Sequence, residues 1–206
     1  MVREEDHRLF NKIAPAYGLF YNIQRRKYSE VIEKVRDVID IKDFESVIDV
    51  GCGTGALCSV LFDNGLRVTG VEPAIRMLNI SRENNRNRDI NFIQGDVTLG
   101  LSFEDNQFDI AIASYVAHGM SKEDRVKLYK EMARVAKSYV IIHDYNSKRG
   151  LLTDIVEYME KGDYFNFIRT AKDEMKDCLS DMESCFAEVR VMDVGKKAAW
   201  YICKVR

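Results

Sequence analysis

The chain has 206 residues, 46% hydrophobic and 31% charged, with a net charge of -2 and a pI near 6.0. That size and mix suit one globular domain with a real core. The slightly acidic balance argues against a protein that lives on nucleic acid or an anionic membrane. Cysteines at 52, 58, 178, 185 and 203 show neither a Cys-x-x-Cys pair nor metal-ligand spacing. No metal site is therefore expected, and a reducing cytoplasm is the expected setting. No apolar run has transmembrane length, and no signal peptide is expected.

Residues 1–24 are polar and aromatic. Phe10, Tyr17, Phe20 and Tyr21 crowd this stretch without a helical period, which predicts a lid that needs a surface to cover. A helix follows, with Val31, Ile32, Val35, Val38 and Ile39 on one stripe. Val47 to Val50 is a short β-branched run that ends in Gly51-Cys52-Gly53-Thr54-Gly55 and gives way to a helical pattern, Leu57, Val60 and Leu61, stopping at Asn64-Gly65. A strand, a tight glycine turn and a helix start form a loop on which a nucleotide-type ligand can rest, since glycine lets the backbone approach closely.

Strand two, Arg67 to Val71, ends in Glu72-Pro73. Glu72 follows Gly51 at the distance where a carboxylate accepts the ribose hydroxyls of a cofactor. Ala74 to Glu83 is a helix carrying Ile75, Met77 and Leu78, and strand three, Ile90 to Gln94, ends in Gly95-Asp96-Val97. Strand four is Phe108 to Ala113, apolar as a strand covered on both faces should be. A loop, Ser114-Tyr115-Val116-Ala117-His118-Gly119-Met120, leads to a helix capped near Ser121 and running to Lys137, with Val126, Tyr129, Met132, Ala133 and Ala136 inward. Strand five is Tyr139 to Ile142, followed by His143-Asp144-Tyr145. Two amphipathic helices are expected next, one marked by Leu152, Ile155, Val156 and Met159, the other by Tyr164, Ile168, Ala171, Met175 and Cys178. Phe186 to Val194 and Ala198 to Val205 form a hairpin through Gly195-Lys196-Lys197.

Two details set the glycine loop apart from a pyrophosphate turn. Gly55 comes one place too early, and Asp49 shares a strand face with Gly51, where a carboxylate would repel a phosphate and suit a cation. Asp49-Val50-Gly51-Cys52-Gly53-Thr54-Gly55 resembles the first motif of class I S-adenosylmethionine-dependent methyltransferases. The residues before the first helix are similar to the leader of quinone-pathway, or type 11, methyltransferases. The resemblance implies an α/β, Rossmann-like three-layer sandwich whose mostly parallel seven-stranded sheet ends in an antiparallel C-terminal hairpin. It further implies one domain throughout 1–206: arm and helix over 1–44, cofactor core over 45–145, helical cover over 146–182, hairpin over 183–206.

By that resemblance S-adenosylmethionine is the cofactor and S-adenosylhomocysteine the product. The implied contacts are Asp49, Gly51, Cys52, Gly53, Thr54, Gly55, Glu72, Pro73, Met77, Gly95, Asp96, Val97, Ser114 and Tyr115, with Tyr17 and Tyr21 closing the site and Asp96 bonding the adenine amino group. His118 and His143 are the candidate general bases. The position after strand four lacks the Asn/Asp-Pro-Pro-aromatic loop of base-amine methylation, and the Pro-Cys nucleophile of cytosine methylation is missing, so a small-molecule acceptor is expected. A monomer or homodimer would serve. Two alternatives stay open: a nicotinamide-dependent oxidoreductase using Gly51-x-Gly53-x-x-Ala56, and a non-catalytic S-adenosylmethionine-binding protein.

Overall fold

The computed structural model describes residues 20–146 and 178–206. Their strands make one seven-stranded sheet in the order β3-β2-β1-β4-β5-β7-β6. Strands β1 (Ser46–Val50), β2 (Arg67–Glu72), β3 (Asn91–Gln94), β4 (Phe108–Ser114) and β5 (Ala136–Tyr145) run parallel. Strand β7 (Ala198–Lys204) is antiparallel both to β5 and to β6 (Glu188–Asp193), so the hairpin inserts its second strand and leaves its first at the edge. The helices are α1 (Tyr21–Val35), α2 (Ala56–Asp63), α3 (Ile75–Asn84) and α4 (Lys122–Val135), and residues 178–185 are helical (α5).

Alternation along the strands builds two cores. Ile48, Val50, Ala111, Ala113, Val140 and Ile142 pack under Leu128, Tyr129 and Met132 of α4 and Met182 of α5. On the other face Val47, Ile110, Ile112, Ile141 and Trp200 meet Ile32 and Val35 of α1, Leu57, Val60 and Leu61 of α2, and Leu78 of α3. Burial on both faces explains why the central strands are apolar throughout. The expected three layers are present.

Some boundaries differ from the sequence pattern. Helix α1 begins at Tyr21, so the last residues of the expected arm are helical. Residues 1–19, with Phe10 and Tyr17, lie outside the described residues, as do 147–177 with the two expected cover helices; of their markers only Cys178, helical and buried, is described. Helix α4 stops at Val135 rather than Lys137, and β5 extends from Ala136 to Tyr145 rather than from Tyr139 to Ile142. Ala136 already pairs with Phe108, and Lys137 Nζ reaches Asp109 Oδ1 at 3.0 Å, so strand pairing overrides helix propensity there. At the far end His143, Asp144 and Tyr145 pair with Trp200, Ala199 and Ala198. Ser121 caps α4 through the amide of Asp124, but the inward stripe includes Arg125, while Val126 and Ala133 are only half-buried. Arg125 bonds Asp181 of α5 at 3.2 Å and the Met120 carbonyl at 3.2 Å.

Asp109 ties the amino ends of β1, β4 and β5 together. Its Oδ2 accepts from the amides of Glu45 (3.0 Å) and Ser46 (2.9 Å) and from the Ser46 hydroxyl (2.9 Å). Partial burial pushes its pKa up, but Lys137 and these donors outweigh it and hold the carboxyl at about 2. The unfolded value is near 3.9, so the ion stabilises the fold above roughly pH 4 and that contribution is lost as pH falls from about 4 to about 2. Asp109→Ala should cost about 1–3 kcal/mol in urea unfolding at neutral pH, with the gap to the native protein narrowing below pH 4. A gap independent of pH would contradict this role.

Candidate functional site

The carboxyl ends of the parallel strands open into the crevice where ligands of such sheets bind. After Val50 the chain turns over β2: the amides of Gly51 and Cys52 donate to the Val71 carbonyl at 2.8 and 3.0 Å. Gly51, Gly53 and Gly55 take φ of 74, 53 and 75°, a region other residues rarely adopt. A Cβ on Gly51 would lie 2.6 Å from Val116, and one on Gly55 2.7 Å from the Asn85 amide nitrogen, whereas one on Gly53 would meet nothing within 4 Å. Packing thus enforces two of the glycines. The third leaves bare backbone beside open space.

Glu72, at the end of β2, is buried, and its Oε2 accepts from Gly53 N at 3.0 Å and its Oε1 from Ala74 N at 2.9 Å. Burial raises its pKa against the lowering effect of those two N–H groups. A carboxylate has about four lone-pair positions, so capacity for further donors remains. Pro73 is half-buried, and Met77 is buried against Ala74. At the end of β3, Asp96 Oδ1 caps the Val97–Leu99 turn through the amide (2.9 Å) and hydroxyl (2.6 Å) of Thr98. Gly95 N bonds back to the Glu72 carbonyl at 3.4 Å.

Asp49 lies beneath the loop, 1% exposed. Cys58 Sγ, from α2, donates to its Oδ2 at 3.1 Å, while Oδ1 is buried without a protein partner. Burial pushes its pKa up to about 7; the Cys58 bond opposes the shift and the nearby Glu72 charge adds to it. A buried carboxylate oxygen left so favours a cationic donor. Together with the bare amide edge at Gly53 and the spare acceptor capacity of Glu72, it fits a cofactor that joins a ribose to a cationic, phosphate-free chain.

Helix α1 holds this loop from outside. Thr54 Oγ1 donates to Gln24 Oε1 at 3.0 Å, and Tyr21 OH donates to Asn85 Oδ1 at 3.0 Å. Asn85 in turn donates to the carbonyls of Ser81 (2.9 Å) and Gly55 (3.3 Å), and Asn84 to that of Thr54 (3.1 Å). Tyr21, expected to close the site, is a buried brace of the loop. Gln24, Asn84 and Asn85 were not singled out in the sequence. The spacing of Tyr21, Gln24 and Tyr28, three then four residues, does mark one helix stripe.

The other side of the crevice is built from the ends of β4 and β5. Tyr28 OH lies 3.0 Å from Ser114 Oγ, which lies 3.2 Å from His143 Nδ1. His143 is buried, and that burial lowers its pKa to about 4 despite the opposing charge of Asp144. Tyr115 takes φ of +56°, a strained value for a residue with a side chain, and its ring stands 4.8 Å from that of His143 and 5.3 Å from that of Tyr145. His118 sits on the Ala117–Gly119 turn with its ring 4.8 Å from that of Tyr145. Its Nδ1 is 2.9 Å from Oδ1 of Asp144, a fully buried carboxylate, although off the line of a full hydrogen bond. In the sequence Asp144 is one polar residue in a strand-end run, and nothing there marks its place beside His118. The described residues hold no His/Cys/Asp/Glu group able to bind a metal ion and no helix long and apolar enough to cross a membrane.

Comparison with known proteins finds one family profile, described as a methyltransferase domain, that matches residues 48–142. The demethylmenaquinone methyltransferase of Paenarthrobacter aurescens is 33% identical over 135 residues, covering 63% of this chain and 49% of that protein. An uncharacterized methyltransferase of Bacillus mycoides is 30% identical over 121 residues, covering 57% of this chain and 55% of that protein. The chain therefore spans about half the length of the curated relatives it matches. A candidate S-adenosyl-L-methionine-dependent methyltransferase of Methanococcus maripaludis, of known structure, superposes with a TM-score of 0.70 at 19% identity over 94% of this chain and 92% of that one, a likeness of fold.

His143 gives this site a pH signature. Its folded pKa of about 4 lies below the unfolded value near 6.5, so the unfolded chain binds the extra proton and stability falls as pH drops from about 6.5 to about 4. The loss should approach about 3 kcal/mol. In urea unfolding at several pH values, His143→Gln should lack this part of the slope. Equal slopes in both proteins would contradict a buried neutral imidazole.

Proposed function

We propose that this chain, whose residues 48–142 match the methyltransferase domain profile, is a class I methyltransferase of the type 11 kind that transfers the methyl group of S-adenosylmethionine to a small-molecule acceptor. The observation that carries the proposal is Glu72, buried and bonded to the bare glycine turn, with acceptor capacity left for two ribose hydroxyls. When bound, the cofactor supplies an electrophilic methyl on a sulfonium. Asp49 offers its unpartnered oxygen to the cationic part, Gly51–Gly55 lets that part lie close, and Asp96 with Gly95 and Val97 receives the adenine. A dinucleotide would bring its pyrophosphate against Asp49, which disfavours the oxidoreductase alternative.

The acceptor stands on the side of Ser114, Tyr115 and His118, and His118 rather than His143 is the proposed base. His118 is a quarter exposed, whereas His143 is buried and engaged by Ser114. The demethylmenaquinone enzyme among the relatives supports a small-molecule acceptor. Five cysteines without a disulfide support residence in the reducing cytoplasm.

The function is tested by incubating the protein with methyl-labelled S-adenosylmethionine and a metabolite extract. Label should appear in a small organic product; binding without transfer would favour the non-catalytic alternative. Glu72→Ala should weaken S-adenosylhomocysteine binding by about 1–3 kcal/mol in calorimetry, because the ribose hydroxyls lose a charged acceptor. An unchanged dissociation constant would reduce Glu72 to a clasp for the turn.

A further inference from the structure

A loop imidazole serves as a base only if its ring is held still and one nitrogen keeps its lone pair. Asp144 supplies both conditions for His118. The carboxylate is fully buried on β5, where its backbone is paired with Ala199 of β7. Oδ2 accepts the His118 backbone N–H at 3.1 Å, Oδ1 accepts the Tyr145 N–H at 2.8 Å, and the same Oδ1 stands 2.9 Å from His118 Nδ1. One rigid carboxylate therefore holds both the main chain and the ring of a residue that belongs to a single-turn loop.

A carboxylate only accepts, so a hydrogen on Nδ1 is favoured beside Oδ1 of Asp144, which leaves the Nε2 lone pair as the basic site. The rings of Tyr145 and Tyr115 stand edge-on to His118 at 4.8 and 6.4 Å, and restrict its tilt. Tyr115 is itself 40% exposed on a left-handed backbone, so an aromatic residue stands partly open to solvent beside the base. Both features make sense beside an acceptor that must be oriented and deprotonated.

We infer that Asp144 is a positioning residue that fixes His118 in its Nδ1–H tautomer, and that the acceptor is a hydroxyl carried on a flat ring. The inference rests on the methyl-transfer reading above. In the step, the hydroxyl proton passes to His118 Nε2 and an oxygen lone pair forms the new carbon–oxygen bond. The methyl–sulfur bond breaks with its electron pair returning to sulfur, and the imidazolium later releases its proton to water. A thiol ionises readily enough near neutral pH to do without a clamped base, and a neutral amine can attack before losing its proton.

The test starts from the full chain with labelled histidine. Nitrogen NMR, with the His118 signal assigned by its loss in His118→Gln, should show Nδ1 protonated and Nε2 bare in the neutral ring. Asp144→Asn should shift that signal toward the opposite tautomer, lower transfer about 10–100-fold, and leave S-adenosylhomocysteine affinity unchanged. An Nε2–H tautomer in the native protein, or full activity in Asp144→Asn, overturns the positioning role. If Asp144→Asn does not fold, the native tautomer and the activity of His118→Gln decide. With 13C-methyl S-adenosylmethionine and a metabolite extract, the carbon shift of the product methyl reports the accepting atom. An O-methyl ether on a ring supports the acceptor class; an N-, S- or C-methyl product, or no transfer, overturns it. Failure of S-adenosylhomocysteine to bind the native protein would instead remove the cofactor reading beneath both.

Discussion

The bond from Gly53 N to the buried carboxylate of Glu72 is the interaction on which the candidate site depends. The loop ends β1 and the acid ends β2, so a single contact sets the height of the loop above the neighbouring strand end. Glu72 is kept inside by two backbone donors, a strong arrangement in a place of low dielectric, and a costly one to leave half-made. Parallel pairing of Asp49 with Gly70 and of Val50 with Val71 brings the two ends level. Gly70 matters for a related reason: a Cβ there would lie 2.8 Å from the Phe92 ring and 3.0 Å from Cys52 Sγ, so the strand must stay bare to seat the loop.

The site is then held from three directions. Beneath it, Asp49 and the Cys58 thiol fill the space between strand and helix. Outside it, α1 bonds the Thr54 side chain, and the end of α3 bonds the carbonyls of Thr54 and Gly55. Across the crevice the chain from Tyr28 through Ser114 to His143 links α1 to the ends of β4 and β5. Helix α1 is thus common to the glycine turn and to those strand ends. A movement of α1 would be felt by both halves of the crevice.

The strand and helix pattern was legible because each buried strand carries its own apolar run and each turn its own glycine or capping residue. Ser46–Val50 with its glycines, and Ser121 as the cap of α4, needed no tertiary information. The misplaced boundary at Ala136 has a physical cause, since Ala and Lys carry helix propensity and only pairing with Phe108 and the pull of Asp109 make them a strand. The buried Arg125 was hidden likewise, because its partner Asp181 lies far along the chain. In the site, residues that act through their own position in a motif, such as Glu72 and Asp49, could be named. Asp144, Asn85 and Tyr28 could not, because their significance is the partner they meet in space: His118, Gly55 and Ser114.

The account turns on whether the crevice beside Gly53 takes a ribose joined to a cationic chain in preference to one joined to a pyrophosphate. Calorimetric titration of the intact protein with S-adenosylhomocysteine and, separately, with NAD measures this directly. The account predicts saturable one-to-one binding of S-adenosylhomocysteine and no heat of binding with NAD. Tight NAD binding, with none of S-adenosylhomocysteine, would contradict it.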